Sequence, residues 1–477
     1  MDSRISARGL VAALGVWRTS EPAYEALADA VRLLCLDGRL ASRTQLPAER
    51  ELAAALALSR TTVAAAYRSL RDSGHIRSQR GSGSVTEPLG GGEGMRRTIA
   101  PDDFALDLQQ ASPPAWPGLP GVIAEAATDA ASLVARPGYD VVGRADLRAA
   151  IAANYSARGL PTVAEQIIVT TGAQSAIALL ATVLVTRGDR VVFETPTYPH
   201  AAEAFRRAGG RLVGIPVSTG GGWDLDRAGQ AFARTVPVAA YLMPDFQNPT
   251  GRSMTIVERD EIARAAVRAG TTVVVDDTTA DLSVEPFDRA PLFGLDVPGL
   301  DIVRVGSLGK TVWGGLRIGW IRAETSLIRR LIAARFAAEL GTPDLDQAIA
   351  ARVMDRYDEV VAQRAHVLRA GRDTVVDGVG SLLPEWSVPD VKGGVALWID
   401  LGAPLSGNVV LAARARGMLL SPGPRFSVDG GHDTYLRVPF TATADVLERA
   451  VGVLAQCWRD VRAMSPVMGM DRLDAVI

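Results

Sequence analysis

The stretch Ser307-Leu-Gly-Lys310-Thr-Val-Trp-Gly-Gly-Leu-Arg317-Ile-Gly319 places a lysine shortly after an apolar run, Ile302 to Val305. The run is short and rich in β-branched residues, which is typical of a buried strand. Open α/β sheets bind ligands at the carboxyl ends of their strands. A lysine after a strand is usually an ordinary surface residue, but this chain has only Lys310 and Lys392 beside 49 arginines. Lys310 is therefore a candidate for chemistry that needs a primary amine, whereas Lys392 lies in a predicted loop.

Short apolar runs alternate with helical stretches on the N-terminal side of this segment. Helices are predicted at Gln174 to Val185 and Ile256 to Ala269. The alternation predicts an α/β fold with a mostly parallel sheet covered by helices on both faces. Beyond residue 325, longer helices and a separate strand, Val395 to Leu401, predict a second, smaller α+β lobe. The strands predicted for the large sheet are Ile167 to Thr170, Arg190 to Phe193, Leu212 to Val217, Ala239 to Met243, Thr272 to Val275 and Ile302 to Val305.

The composition excludes several classes of protein. A chain of 477 residues, 48% of them hydrophobic, can bury large cores and is long enough for two or three domains. Two cysteines, Cys35 and Cys457, are too few for a disulfide framework or a zinc finger, and they fit a reducing compartment. No apolar run is long enough for a transmembrane helix, and Met1 to Arg18 only loosely resembles a signal peptide. We therefore expect a cytoplasmic protein that has no membrane partner and no metal site.

Charge divides the chain into two parts. Residues 1–86 carry a net charge of +4 and the remainder carries −6, with a glycine-rich stretch, Gly90 to Gly94, after the basic part. A small basic head joined to a larger acidic body is the simplest interpretation. The predicted boundaries are an arm at 1–20, the head at 21–86, a linker at 87–103 and the body at 104–477.

The basic head is predicted to fold as three helices followed by a short hairpin, His75 to Thr86. Pro47 is expected at the first position of the second helix, and Ser59 is expected to cap the third. A short turn between these two helices is typical of a helix-turn-helix, although the spacing also fits a plain three-helix domain with a solvated arginine face. The apolar positions of the first and third helices are Tyr24, Leu27, Val31, Leu34, Val63, Ala66, Tyr67 and Leu70.

Candidate DNA contacts lie on the third helix, on the helix before it and at the hairpin. Arginine and hydroxyl side chains there can reach base edges and phosphates if the third helix enters the major groove. The candidates are Arg50, Ser59, Arg60, Thr61, Thr62, Tyr67, Arg77, Arg80, Gly81 and Gly83.

The longer pattern of the head is more specific. Leu46-Pro-Ala-Glu-Arg-Glu-Leu-Ala, Leu58-Ser-Arg-Thr-Thr-Val, Ala66-Tyr-Arg-Ser-Leu and Gly74-His-Ile-Arg with Gly81-Ser-Gly83 resemble the winged helix of the GntR family of bacterial repressors. The resemblance covers about residues 21–86. It implies a winged helix-turn-helix domain that binds a double-stranded DNA operator.

Polar residues follow other predicted strands of the body. Asp276 ends a strand, where a buried carboxylate needs a partner, and Gly172-Ala173-Gln174 opens a helix, as a phosphate-binding turn does. Tyr198 can stack on a flat ring and Asn248 can donate to a phenolic oxygen, although each residue alone fits an ordinary capping, packing or turn role. With the amine of Lys310, the set suits the ring nitrogen, phosphate, phenolic oxygen and aldehyde of pyridoxal 5′-phosphate.

The order of these motifs resembles the fold-type I aminotransferases of the class I/II group, from about residue 104 to 465. The resemblance implies that Ser307 and Arg317 bind the cofactor phosphate, and that Arg437 clamps a substrate carboxylate. A planar carboxylate suits a guanidinium, although Arg437 could also be an ordinary arginine on a surface strand. Thr278 and Thr279 stand where the family has a tyrosine, so we expect Thr278 to take a place at the cofactor.

Gly309 replaces the serine that usually precedes the lysine in this family. Each lost hydrogen bond costs about 1–3 kcal/mol. The remaining contacts should still retain the cofactor, whereas efficient transamination is less expected, because the missing tyrosine normally tunes the lysine.

A GntR-type head fused to an aminotransferase-like body resembles the MocR subfamily of transcription regulators. The resemblance implies a head-to-tail homodimer and an effector that is an amino acid, an amine or the cofactor itself. The effector would be sensed through the imine that Lys310 forms with the cofactor, the internal aldimine. Two alternatives stay open: a working aminotransferase that carries a DNA-binding head, and a regulator that has lost the cofactor.

Overall fold

The computed structural model describes residues 4–15, 17–18, 22–36, 38–79, 83–87, 106–285 and 291–464. Most of the predicted linker lies outside these residues, as do Arg80 and Gly81. Among the described residues, none of the helices combines the length and the apolar character needed to cross a membrane.

The head consists of helices and an antiparallel hairpin around one core. The apolar stripe predicted on the third helix, which is α4 of the structure, is buried in this core. Leu10 and Leu14 of an additional N-terminal helix, α1, are buried with it. Residues 7–14 of the predicted N-terminal arm therefore pack on the head. The elements are α1 (Ala7–Leu14), α2 (Ala23–Leu36), α3 (Glu49–Leu56), α4 (Arg60–Asp72), β1 (Ile76–Gln79) and β2 (Gly83–Thr86).

The prediction that α3 begins at Pro47 is wrong by two residues. Ala48 is the N-cap, and the first helical hydrogen bond runs from Leu52 N to Ala48 O at 3.0 Å. The carbonyl oxygen of Pro47 instead accepts the hydroxyl of Tyr67 at 2.9 Å. Pro47 thus joins α3 to α4 rather than opening the helix. Ala57 ends α3 in a left-handed conformation and makes the short turn before α4.

The large lobe of the body is built on a mixed, mostly parallel sheet. Its strand order is β4-β11-β10-β9-β8-β5-β6-β7, in which β11 and β7 run antiparallel to their neighbours. The strands are β4 (Ile167–Thr170), β5 (Arg190–Thr195), β6 (Arg211–Ser218), β7 (Gly222–Trp223), β8 (Ala239–Leu242), β9 (Thr272–Asp276), β10 (Ile302–Ser307) and β11 (Gly319–Arg322). The helices are α5 (Leu119–Ala127), α6 (Ala130–Val134), α7 (Ala145–Ala157), α8 (Ala173–Leu184), α9 (Pro199–Arg207), α10 (Leu225–Thr235), α11 (Ile256–Ala269), α12 (Thr325–Arg335) and α13 (Asp344–Met354).

All six strands predicted for the large sheet are present, whereas β7 and β11 were not predicted. The four residues of β11 include a glycine, a tryptophan and an arginine, so they lack the β-branched run that marks its neighbours. Packing explains the glycine. A Cβ at Gly319 would lie 2.5 Å from the backbone carbon of Gly172, so β11 begins directly against the turn that precedes α8.

The smaller lobe contains the predicted separate strand in a three-stranded sheet ordered β12-β15-β14. A short parallel pair, β3 with β13, connects the start of the body to this lobe. The elements are β3 (Leu106–Asp107), α14 (Tyr357–Leu382), β12 (Ala396–Asp400), α15 (Ser406–Ala415), β13 (Met418–Leu419), β14 (Ser421–Pro422), β15 (Tyr435–Pro439) and α16 (Ala444–Met464). Leu33 of the head helix α2 packs into the core of the small lobe.

Candidate functional site

A cavity of about 690 Å³ lies at the carboxyl ends of the parallel strands, between the large and small lobes. Side chains that follow β4, β5, β8, β9 and β10 line it on one side, and β15 lines it on the other. Leu36, at the end of the head helix α2, also reaches its wall. The cavity brings together these sequence-predicted residues: Ala173, Gln174, Tyr198, Asn248, Asp276, Thr278, Ser307, Lys310, Arg317 and Arg437.

Lys310 is half-buried and lines this cavity. Its Nζ donates to the carbonyl oxygen of Ala111 at 2.5 Å. Burial and, after it, the nearby charge of Arg437 lower the pKa of Lys310 to about 8, while Asp276 acts in the opposite direction. Near neutral pH, a useful fraction of this amine is therefore unprotonated and nucleophilic. Lys392, by contrast, is half-exposed and pairs with Asp390 at 2.9 Å.

Asp276 sits at the end of β9 with its carboxylate buried. One oxygen accepts from the backbone N–H of Thr278 at 2.9 Å, and the other accepts from the hydroxyl of Tyr241. Burial raises the pKa of Asp276, and these hydrogen bonds and Lys310 oppose the rise. Since both hydrogen-bond donors are neutral, a protonated pyridine nitrogen would give the carboxylate a charged partner.

The turn before α8 has the form of an anion cradle. Gly172 adopts a φ of +86°, and a Cβ there would lie 2.7 Å from the guanidinium of Arg317. Arg317 donates to the carbonyl oxygen of Thr171 at 2.9 Å, which holds its charge over the N-terminus of α8. The hydroxyl of Ser307 lies on the same wall and accepts from Gly309 N at 3.0 Å. A cation, a hydroxyl and helix N–H groups together suit a phosphate.

Two more cavity residues fit the ring of pyridoxal phosphate. Tyr198 caps the N-terminal end of α9, and burial raises the pKa of its phenol to about 12, so the ring stays neutral. The side-chain oxygen of Asn248 is buried and has no hydrogen-bond partner among the described residues. This oxygen is an acceptor, whereas the predicted donation to the phenolic oxygen would use the amide N–H of the same side chain.

Arg437 is only 6% exposed, which excludes the alternative of an ordinary surface arginine. It donates to the carbonyl oxygen of Gln109 at 2.5 Å, and its guanidinium carbon lies 4.9 Å from the centre of the Phe426 ring. Burial lowers the pKa of Arg437 to about 10, so the group remains cationic at neutral pH. It is a buried cation opposite the amine of Lys310, placed to receive a carboxylate.

The sequence did not indicate several residues that shape this site. Tyr241 lies inside a predicted strand and gave no sign of its bond to Asp276. Gln109 and Ala111 act through backbone carbonyl groups, which have no signature in a sequence. Thr279, which the sequence analysis did place at the position of the family tyrosine, donates its hydroxyl to Asp245 O at 2.9 Å.

The head presents part of the predicted DNA surface. Ser59 caps α4 by accepting from Thr62 N at 3.0 Å, so this hydroxyl is engaged within the helix. The inclusion of Tyr67 is not supported, because its ring is buried in the head core and its hydroxyl is used by Pro47. Among the other candidates, Arg50, Arg60, Thr61, Arg77 and Gly83 are exposed and Thr62 is half-buried.

Comparisons with known proteins agree with this division. The family model "Aminotransferase class I and II" matches residues 118–454, and the model "Bacterial regulatory proteins, gntR family" matches residues 23–85. A 2-aminoadipate transaminase from Thermus thermophilus is 29% identical over 69% of this chain and 84% of that protein. YisV, an uncharacterized HTH-type transcriptional regulator from Bacillus subtilis, is 25% identical over 94% of this chain and 99% of that protein.

Two further likenesses concern the regulator and the fold of the body. MocR from Rhizobium meliloti, a probable rhizopine catabolism regulatory protein, is 31% identical over 63% of this chain and 65% of that protein. The crystal structure of LysN, the α-aminoadipate aminotransferase of Thermus thermophilus, superposes with a TM-score of 0.68 at 27% identity. The match covers 75% of this chain and 93% of LysN, which is complexed with N-(5′-phosphopyridoxyl)-L-leucine. The cavity residues fit the cofactor of this fold, pyridoxal 5′-phosphate.

Proposed function

Because this chain belongs to the class I and II aminotransferase family and joins that body to a GntR-family DNA-binding head, as MocR-type regulators do, we propose that it senses an amino acid or an amine through its cofactor site. The observation that carries the proposal is the presence of the half-buried Lys310 and the buried guanidinium of Arg437 in one cavity. An amino acid would replace Lys310 at the cofactor with its own amine and would pair its carboxylate with Arg437.

Each cavity residue then has a defined task. Arg317, Ser307 and the turn at Gly172 hold the phosphate, and Asp276 keeps the ring nitrogen protonated. When bound, the cofactor supplies an aldehyde that a primary amine captures. Lys310 provides that amine at rest, and an effector amine takes its place while its carboxylate pairs with Arg437. The cofactor itself is a second candidate effector, because it also engages Lys310.

A working aminotransferase that carries a DNA-binding head is the second candidate function. Lys310 and Asp276 favour it, since they are the groups that transamination needs. Thr279 is an argument against high turnover. It stands near the position where the family has a tyrosine, and its hydroxyl donates to a backbone carbonyl and not to a cavity group. Steady-state transamination over a broad panel of amino acids separates the two, as multiple turnovers at ordinary enzymatic rates would favour the enzyme.

We also propose a homodimer in the cytoplasm, arranged head to tail. An exposed apolar patch on the large lobe supports self-association; it consists of Val134, Tyr139, Phe336, Leu340 and Leu345. The segments that carry it are joined by the Arg136–Asp344 ion pair at 3.4 Å. The head packs on the small lobe of its own chain in this structure, and a partner's head would fit the same surface if the heads were exchanged.

The test compares Lys310→Ala with Lys392→Ala, since the chain offers a matched lysine outside the cavity. Protein reconstituted with cofactor is expected to show a visible absorption band that borohydride traps as an adduct on Lys310. Lys310→Ala should lose the band, the adduct and the response of DNA binding to amino acids, whereas Lys392→Ala should keep all three. A Lys310→Ala protein that bound DNA and responded like wild type would contradict the proposal.

A further inference from the structure

A second arginine of the small lobe, Arg425, lines the cavity with Arg437, and in the proposed function it holds neither the cofactor nor the α-carboxylate. It lies in a single 3₁₀ turn, Gly423–Phe426, that follows β14. Phe426 of the same turn is buried, and the guanidinium carbon of Arg437 lies 4.9 Å from the centre of its ring. Burial is the main cause of the lowered pKa of Arg437, and the positive charge of Arg425 also contributes. The two guanidinium groups are therefore close enough to interact.

Contacts between the two lobes hold Arg425 in place. Its Nη2 atom lies 2.6 Å from Oε1 of Glu203, which belongs to α9 of the large lobe. In the same region, Thr197 N donates to Phe426 O at 2.9 Å, so the 3₁₀ turn is tied to the segment that leads into α9. A guanidinium that is already held in position loses little conformational entropy when a ligand binds to it.

Glu203 uses only part of the hydrogen-bonding capacity of Arg425. A guanidinium has five N–H donors, and Glu203 is the only partner that the described part of the chain gives to this one. Glu203 does not line the cavity, and the Nδ1 atom of His200 lies 3.2 Å from its carboxylate. Burial acts to raise the pKa of Glu203, but the hydrogen bond with His200 and the charge of Arg425 lower it to about 2, so this carboxylate is ionised at neutral pH. Arg425 can therefore donate to a ligand inside the cavity while it stays paired with Glu203.

The charges along the cavity favour a ligand with two carboxylates. Asp276 is the only carboxylate among the described residues of the lining, and the cationic side chains there are Lys310, Arg317, Arg425 and Arg437. In the proposed function, Arg317 meets the cofactor phosphate, Asp276 meets the ring nitrogen and Arg437 meets the α-carboxylate of an amino acid. Arg425 is then the cation that still lacks a ligand group, and the lining offers no free carboxylate to a second amine.

We propose that Arg425 determines the specificity of the site, and that the effector is an amino acid whose side chain carries a second carboxylate. This inference rests on the proposed function and specifies its class of ligand. The α-carboxylate pairs with Arg437, and the side-chain carboxylate pairs with Arg425. A hydrogen bond from a guanidinium to a carboxylate is stronger than one to a neutral amide. A basic side chain would instead meet the positive charge of Arg425, so the site disfavours it.

The test compares three acidic amino acids of increasing length, L-aspartate, L-glutamate and L-2-aminoadipate, each with its own side-chain amide. Each acid and its amide have nearly the same shape and differ in charge. Full-length protein reconstituted with pyridoxal 5′-phosphate is titrated with each compound, and the change in the visible absorption band gives the apparent affinity. We expect at least one acid to bind about tenfold or more tightly than its amide. If every amide binds as tightly as its acid, or if other amino acids change the band and none of the acids does, the inference is wrong.

Three variants assign the preference to Arg425. Arg425→Gln should reduce the preference for the acid to about twofold or less, while the affinity for the amide stays as in the wild type. The double variant Arg425→Gln with Glu203→Gln removes both members of the ion pair, so it leaves no unpaired carboxylate and should show the same loss. Arg206→Gln is the matched control, because Arg206 also interacts with the charge of Glu203 but donates to Val428 O at 2.8 Å and does not line the cavity. It should keep the preference of the wild type.

The outcomes separate this inference from the proposed function. Unchanged preference for the acid in Arg425→Gln and in the double variant would refute the role of Arg425 and leave the sensing of amino acids intact. A wild-type protein whose visible band no amino acid changes, or a Lys310→Ala protein whose DNA binding responds normally, would refute the proposed function itself.

Discussion

The pKa of Lys310 gives the sharpest test of the site. Only the unprotonated amine attacks an aldehyde, so the rate of cofactor capture by cofactor-free protein should follow the titration of Lys310. With a pKa of about 8, about a tenth of the amine is unprotonated at pH 7. A lysine at the ordinary value of 10.5 would be about 0.03% unprotonated. Capture at Lys310 should therefore be about 300-fold faster at pH 7 than at an equally reactive unperturbed lysine.

Two substitutions should move this titration in opposite directions. Arg437 lowers the pKa of Lys310 and Asp276 raises it. Arg437→Met should therefore shift the midpoint of the rate profile to higher pH, and Asp276→Asn should shift it to lower pH. The assay is the rate of growth of the visible band after mixing with the coenzyme, between about pH 6 and pH 10. The midpoint is the quantity to compare, because each substitution also changes the absolute rate.

Lys392 provides the internal reference. It lies outside the cavity, and its carboxylate neighbours, Asp390 first, raise its pKa. A rate profile that still rose beyond pH 10 in the wild type would mean that the cavity does not perturb Lys310. Shifts of the same sign in Arg437→Met and Asp276→Asn would refute the assignment of the two charges to this amine.

Three further predictions concern the cradle and the head. Gly172→Ala should weaken cofactor binding about tenfold or more, because the new methyl group would clash with Arg317. Gly188→Ala is the control and should leave cofactor binding unchanged, because this glycine also has a positive φ but lies in open space. Equilibrium dialysis measures the cofactor affinity of both variants. Tyr67→Phe should lower the stability of the head by about 1 kcal/mol, measured by thermal unfolding, and should leave the salt dependence of DNA binding unchanged. Arg60→Ala should lose the discrimination between operator and random DNA at constant salt. If the substitution weakened binding to both DNAs equally, Arg60 would not be a residue that contacts bases.

The strand pattern was predictable because it is local. Alternating apolar runs located all six strands predicted for the large sheet, and a strand-end position marked Lys310 and Asp276. The short strand β11 was not predicted because its first residue, Gly319, is required by close packing against the turn at Gly172. Local strand propensity contains no information about such a contact. Tyr67 illustrates the same limit. A tyrosine at helical spacing can belong to the core or to the DNA-binding surface, and the sequence alone does not distinguish the two.

The partners of the two cations could not be predicted at all. Ala111 and Gln109 are 199 and 328 residues away from the side chains that bind them. They act through carbonyl oxygens, and every residue has one. Only the packing of the two lobes selects which carbonyl is used.

Local patterns predicted the two-part architecture and the strand-end residues of the candidate cofactor site, because periodicity, strand ends and capping residues are properties of neighbouring positions. The helix-turn-helix needed the longer resemblance to the GntR family, since its spacing also fits a plain three-helix domain. Tertiary packing is responsible for the lowered pKa of Lys310, the burial of Arg437 and the seating of Leu33 on the small lobe. Burial and charge proximity depend on residues far apart in the chain, so they exist only once the lobes and the head are packed together.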